Sequence, residues 1–229
     1  MSLADALNRL SLRVQRRVQG IPGAVSALYE LVALRCLRAL HEAVAEEAAA
    51  AGAERVVDVG CGVADLLSML ARRAGRAHLV GVDISLPMLR RALKCVRERG
   101  VEGVVDLVCA DAHAAPIRSA SVDLVLSIGA LHHFRRPERA LRECSRVLKE
   151  SGEAWIYELS HDGEVAESFR GLRRPKLLLK VAAALHGVPR RELEGGRLGE
   201  ALMEAGVRFE IEPRGLVTKI VAKPSLINN

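Results

Sequence analysis

Apolar residues change their spacing twice along the chain, and the changes mark its architecture. Between about Ala24 and Ala51 the positions Leu28, Leu31, Val32, Leu34, Leu37, Leu40 and Val44 recur at helical intervals after an Ile21-Pro22-Gly23 break, which predicts a long amphipathic helix preceded by a shorter basic one. From Arg55 the pattern becomes short β-branched runs, Val56 to Val59, His78 to Val82, Val104 to Cys109, Val122 to Ile128 and Ala154 to Tyr157. Helical stretches separate them around Leu66 to Arg73, Met88 to Arg99 and Glu138 to Lys149. Strands that alternate with helices pair in parallel, and their right-handed crossovers cover both faces of a sheet. Near the end, Val207 to Glu212 and Val217 to Ala222 are joined only by Pro213-Arg214-Gly215, a hairpin-length connection. The expectation is α/β: a doubly wound, mostly parallel seven-stranded sheet with an antiparallel C-terminal hairpin and N-terminal helices.

The 229 residues suit a single domain. Its expected parts are an N-terminal helical cap (1–52), a core (53–160), a basic helical insertion (161–193), and a C-terminal helix and hairpin (194–229). Half of the residues are hydrophobic and only 3% aromatic, so the core must be aliphatic, as buried parallel strands require. Cys36, Cys61, Cys95, Cys109 and Cys144 are scattered without C-x-x-C spacing, which argues against structural zinc and predicts a reduced, cytoplasmic chain. Neither a signal peptide nor an apolar run of the ~18 residues that would read as a membrane span is expected. Scarce amides and abundant Arg fit a hot-growing source or a GC-rich genome.

Chemistry enters at Arg55-Val56-Val57-Asp58-Val59-Gly60-Cys61-Gly62-Val63-Ala64-Asp65, a strand that runs into a glycine turn and then a helix, in Rossmann-like order. Gly60 and Gly62 permit a sharp turn and a close ligand approach. Asp83 ends the next strand at about the ~20-residue distance where a carboxylate accepts ribose hydroxyls. A dinucleotide fingerprint would need glycine at Asp65, whose charge would oppose a pyrophosphate. A cationic cofactor without phosphate suits Asp58 and Asp65 better.

Asp58-Val59-Gly60-Cys61-Gly62, Gly81-Val82-Asp83-Ile84-Ser85, Asp111-Ala112 and Ser127-Ile128-Gly129-Ala130-Leu131-His132-His133-Phe134 together resemble the ordered motifs of class I S-adenosylmethionine-dependent methyltransferases, nearest the ubiquinone/menaquinone-biosynthesis-like subgroup, over roughly residues 54 to 160. The resemblance implies S-adenosyl-L-methionine as cofactor. It places Asp58, Gly60, Cys61 and Gly62 along the methionine and ribose, Asp83 on the ribose, Asp111 on the adenine amino group, Ile84 and Ala112 beside the adenine, and Ser127 at the same edge. Tyr29 is similar to an aromatic that folds over the methionine carboxylate. The usual third glycine is replaced by Ala64, a departure that puts the shape of the loop in question.

His132 and His133 fall just beyond the fourth strand, where imidazoles can gate the pocket or act as a general base; the first role is the commoner for such a pair. The net charge of +6 and the cluster Arg170, Arg173, Arg174, Lys176, Lys180, Arg190 and Arg191 are compatible with an anionic acceptor, a nucleic acid or a solvated face. Lys176 to Leu185 is apolar enough to require cover, as a lid over an acceptor or as a helix on a membrane surface. Methyl transfer to a small, apolar or anionic molecule is the leading expectation. RNA methylation and a non-catalytic, cofactor-binding partner subunit are the alternatives.

Overall fold

The computed structural model describes residues 23–160, 162, 183 and 187–224, with side chains from Leu37 onward. Its elements in chain order are α1 (Gly23–Ala50), β1 (Arg55–Val59), α2 (Asp65–Ala71), β2 (His78–Asp83), α3 (Leu86–Glu98), β3 (Val105–Cys109), β4 (Val122–Ile128), a 3-10 turn (Leu131–His133), α4 (Pro137–Val147), β5 (Leu148–Leu159), α5 (Arg191–Glu194), α6 (Arg197–Ala205), β6 (Arg208–Arg214) and β7 (Val217–Lys223). The expected basic helix before residue 23, and the apolar stretch 169–185 apart from Ala183, lie outside the described residues.

The seven strands form one sheet in the order β3-β2-β1-β4-β5-β7-β6. β1 pairs in parallel with both β2 and β4, so the strand order reverses beside it, and a crevice opens beyond the carboxyl ends of the strands. Alternation along β1 divides its side chains between two cores. Val56 joins Leu40, Val44, Leu67, Leu70 and Tyr157 beneath α1, α2 and α3, while Val57 and Val59 join Val125, Leu141, Ile156, Leu198 and Ile220 beneath α4 and α6. Helices on both faces thus leave the strand ends as the place for a ligand.

Two of the boundaries that differ from the sequence expectation have a clear physical reason. β5 begins at Leu148, where helical periodicity had suggested that the preceding helix continues to Lys149, and its register to β4 shifts between Val122 and Leu124. Gly152 sits where a Cβ would lie 2.9 Å from the Val122 carbonyl oxygen, so this irregular, polar start of the strand depends on a missing side chain. In the hairpin, Pro213 and Arg214 remain in β6, opposite Thr218 and Val217. The turn is therefore Gly215-Leu216, with Gly215 at φ 66°, and the proline is tolerated because β6 is the outermost strand.

Candidate cofactor and acceptor site

The loop after β1 is held by hydrogen bonds from its own amides. Gly60 N and Cys61 N both donate to the Val82 carbonyl, at 2.8 and 3.1 Å, which binds the loop to the end of β2. Gly60 has φ 78°, and a Cβ there would meet the Ala130 methyl at 2.6 Å, so the residue is required by the protein's own packing. Gly62 has φ 54° and faces only the flexible end of Met88. Ala64 also lies in the left-handed region, at φ 57° and ψ 31°, as the N-cap of α2. The glycine expected at this position would serve a backbone conformation, which the alanine adopts at a cost of about 1–2 kcal/mol.

Asp83 closes the loop from the other side. Its Oδ2 accepts from Gly62 N at 2.9 Å and its Oδ1 from Ser85 N at 2.8 Å. Burial raises its pKa, against the opposing effect of the Ser85, Gly62 and Ile84 amides. Asp58 is buried one strand away, and its pKa is raised to about 8, first by burial and then by the negative charge of Asp83. Two carboxylates thus share a site that favours a cation. Ile84 beside them is exposed.

Other expected site residues are placed differently. Cys61 turns its thiol inward, against the position a Gly81 Cβ would take, so only its backbone can reach a ligand at the loop. Burial raises its thiol pKa, with Asp58 and Asp83 adding to the effect. Ser127 donates its hydroxyl hydrogen to the Val59 carbonyl at 2.9 Å, which ties β4 to β1. Asp65 corrects an expectation, because it points away from the loop. It meets His41 Nδ1 at 3.0 Å and the Arg99 guanidinium, and despite burial these partners hold its pKa down to about 2. The charge argument against a pyrophosphate therefore no longer stands on Asp65. Tyr29 falls on α1, and its side chain is outside the described residues.

Beyond β3, Asp111 is partly exposed and Ala112 packs against the second core. Beyond β4, His132 is buried in the 3-10 turn, with Nδ1 2.5 Å from Glu158 Oε2 and its backbone N–H 3.3 Å from Glu158 Oε1. Glu158 is wholly buried on β5, and the His133 ring lies 3.9 Å from that of His132. Glu158 was not anticipated. Its signal was an acidic residue inside the apolar run Trp155-Ile156-Tyr157-Glu158-Leu159, since a buried carboxylate needs a partner.

Residues 57–156 match the family described as a methyltransferase domain. Over these residues the chain is similar to class I methyltransferases of the ubiquinone/menaquinone-biosynthesis-like type. It is 28% identical over 148 residues to the ubiquinone/menaquinone biosynthesis C-methyltransferase of Ruegeria sp., covering 63% of this chain and 59% of that one. It is 33% identical over 106 residues to the demethylmenaquinone methyltransferase of Thermotoga maritima, covering 46% and 44% of the two chains. The chain thus spans about half the length of such curated relatives. Among solved structures, a Methanococcus maripaludis protein described as an S-adenosyl-L-methionine-dependent methyltransferase superposes with a TM-score of 0.74 at 18% identity, over 92% of this chain and 97% of that one, and shows the shared fold.

S-adenosyl-L-methionine is the cofactor of this type of domain. The residues present fit it: the buried Asp58 and the half-buried Asp83 for a molecule that carries positive charge, a loop whose backbone adopts positive φ, and an exposed Ile84 where an adenine can lie. No group of three or more His, Cys, Asp or Glu suited to a metal occurs among the described residues.

Proposed function

We propose that this protein is an S-adenosyl-L-methionine-dependent methyltransferase acting on a small-molecule acceptor with an ionisable hydroxyl or acidic C–H. The observation that carries the reading is Asp83, fixed by Gly62 N and Ser85 N at the mouth of a positive-φ glycine loop, beside the buried Asp58. When bound, the cofactor supplies an activated methyl group. Asp83 accepts the ribose hydroxyls, Asp111 accepts from the adenine amino group, Ile84 and Ala112 flank the base, and the amides of residues 60–62 line the methionine side. Asp58 sits below them and lowers the cost of holding a cation.

On the acceptor side, Glu158 holds the His132 imidazole, and proton transfer from the acceptor through His132 or His133 gives the nucleophile. Burial of this pair excludes water from the proton path. The C-methyltransferase named for Ruegeria supports a carbon nucleophile, such as an electron-rich phenolic ring. Oxygen and nitrogen acceptors use the same geometry.

No helix among the described residues is long and apolar enough to cross a membrane. Four cysteines, Cys61, Cys95, Cys109 and Cys144, are free thiols, which suits the reducing cytoplasm as the site of action. Asp83→Ala tests the cofactor assignment by calorimetry with S-adenosylhomocysteine. A loss of about 1.5–3 kcal/mol per hydroxyl contact is expected. An unchanged affinity in a folded variant removes Asp83 from the site. Methyl incorporation into bulk tRNA, with no small-molecule product, would favour the RNA alternative.

A further inference from the structure

Asp111 does not stand alone at the end of β3. Its Oδ1 accepts the backbone N–H of His113 at 3.0 Å and also receives the ring Nδ1 of the same residue. On the far side of that ring, the backbone N–H of Arg136 donates to His113 Nε2 at 3.4 Å. The two partners specify one tautomer. Nε2 accepts, so Nδ1 carries the hydrogen and donates it to the carboxylate.

The ring is fixed in plane as well as in hydrogen bonding. Phe134 meets it edge-on, with centroids 6.0 Å apart and planes at 67°. Phe134 in turn reaches within 3.8 Å of the position of a Gly60 Cβ. Arg197 closes the turn that carries this phenylalanine by donating to the Phe134 and Arg135 carbonyls, at 2.6 and 3.0 Å. Phe134 therefore lies between the glycine loop and the His113 ring, whose one polar hydrogen is directed at Asp111.

The consequence for Asp111 is geometric. Both His113 donors fall on a single oxygen, so Oδ2 takes no hydrogen bond from His113 and can accept one from a ligand. Burial is the largest single influence and opposes ionisation, but the His113 amide, the His113 ring and Arg135 together outweigh it and hold the carboxyl below its ordinary pKa. An ionised carboxylate only accepts hydrogen bonds, so it rewards a base that presents an amino group and gains nothing from one that presents none.

We propose that His113 is a positioning residue for base selectivity: it aims Asp111 so that the cofactor site prefers a 6-aminopurine to a purine without the amino group. The inference rests on the reading of Asp111 as the adenine contact, and the test separates the two. Binding of S-adenosylhomocysteine is compared calorimetrically with binding of its analogue whose base is unsubstituted purine, in the same preparation of each variant. The ratio of the two dissociation constants cancels any loss of competent protein, because that loss scales both constants alike.

The unaltered protein should favour the amino compound by roughly tenfold or more, the value of one charge-assisted hydrogen bond. His113→Leu should bring the ratio to about one, whereas His113→Asn, whose amide can stand in for the Nδ1–H, should restore it. Should the leucine variant not fold, His113→Ala carries the same test. A ratio that persists in His113→Leu but collapses in Asp111→Ala overturns the role of His113 and leaves the adenine contact intact. A ratio that persists in Asp111→Ala overturns the adenine contact, and this proposal with it.

Discussion

Two sets of buried or half-buried carboxylates lie against this sheet and are treated in opposite ways. On the α1 side each acid is matched by cations. Glu47 accepts from Arg214 at 3.1 Å, Lys219 at 2.7 Å and the Tyr157 hydroxyl at 2.9 Å, and Asp65 is held by His41 and Arg99. Burial alone would raise both acids, yet their partners leave both with lowered pKa values. At the strand ends, the buried Asp58 and the half-buried Asp83 lie beside each other, and both are raised. The first arrangement is complete within the chain and fastens α1 to the sheet. The second becomes balanced when a cation arrives, and this difference distinguishes scaffold from site without reference to any motif.

The comparison breaks most severely at Glu158. Glu158→Ala leaves the buried His132 imidazole without its carboxylate, and a loss of about 3–5 kcal/mol in unfolding free energy by denaturant titration is expected. Glu158→Gln keeps a hydrogen-bond acceptor and the fold, so its effect should appear in turnover, as a fall of roughly a hundredfold or more at saturating cofactor. Normal turnover in the glutamine variant would confine the pair to a structural role.

Asp65 is the next in size. Its folded pKa of about 2 lies below the ordinary 3.8, so its contribution is present above pH 4 and is lost as pH falls toward 2. Asp65→Asn should therefore lose about 2 kcal/mol at neutral pH, with the gap to the unaltered protein closing between pH 4 and 2 and cofactor affinity unchanged. Weakened binding in this variant would place Asp65 in the site after all.

Asp58 should behave in the opposite sense. Its folded pKa of about 8 lies above the ordinary value, so the stability it confers is present in acid and is lost as pH rises through 8. Without cofactor, Asp58→Asn should match the unaltered protein near pH 4 and melt several degrees higher at pH 9. It should also bind S-adenosylhomocysteine more weakly. Equal melting temperatures at pH 9 would show that Asp58 finds a counter-charge within the chain.

Ala64→Gly should do least. Relief of the left-handed backbone, about 1–2 kcal/mol, is offset by loss of a buried methyl at about 0.8 kcal/mol and by the entropy glycine adds to the unfolded chain, about 0.4–1 kcal/mol. Melting temperature should hardly move. A large gain would mean that the methyl contributes little to packing.

What the sequence disclosed follows from the range of the interactions involved. β4 was read at its observed limits, Val122 and Ile128, because a central strand buried on both faces is a continuous β-branched and aliphatic run. The opening of β5 was missed, since Lys149 to Gly152 are polar or small and only pairing to Val122 makes them a strand. Gly60, Gly62 and Asp83 were legible because their roles are local to a turn or a strand end. Glu158 and the outward turn of Asp65 were not, as their partners stand 26 and 24 or more positions away and are brought near only by the crossovers.

The outer strand β6 bears on the protein's behaviour at high concentration. An open sheet edge is a template on which another chain can add strand by strand, the route to fibres and precipitates. Here that strand carries Pro213, which has no amide hydrogen to offer, among Arg208, Glu210, Glu212 and Arg214. A growing stack would have to bury those charges and forgo one of its ladder bonds at every copy. Replacement of Pro213 by valine would restore the missing donor, and with it the hazard that the native strand holds off.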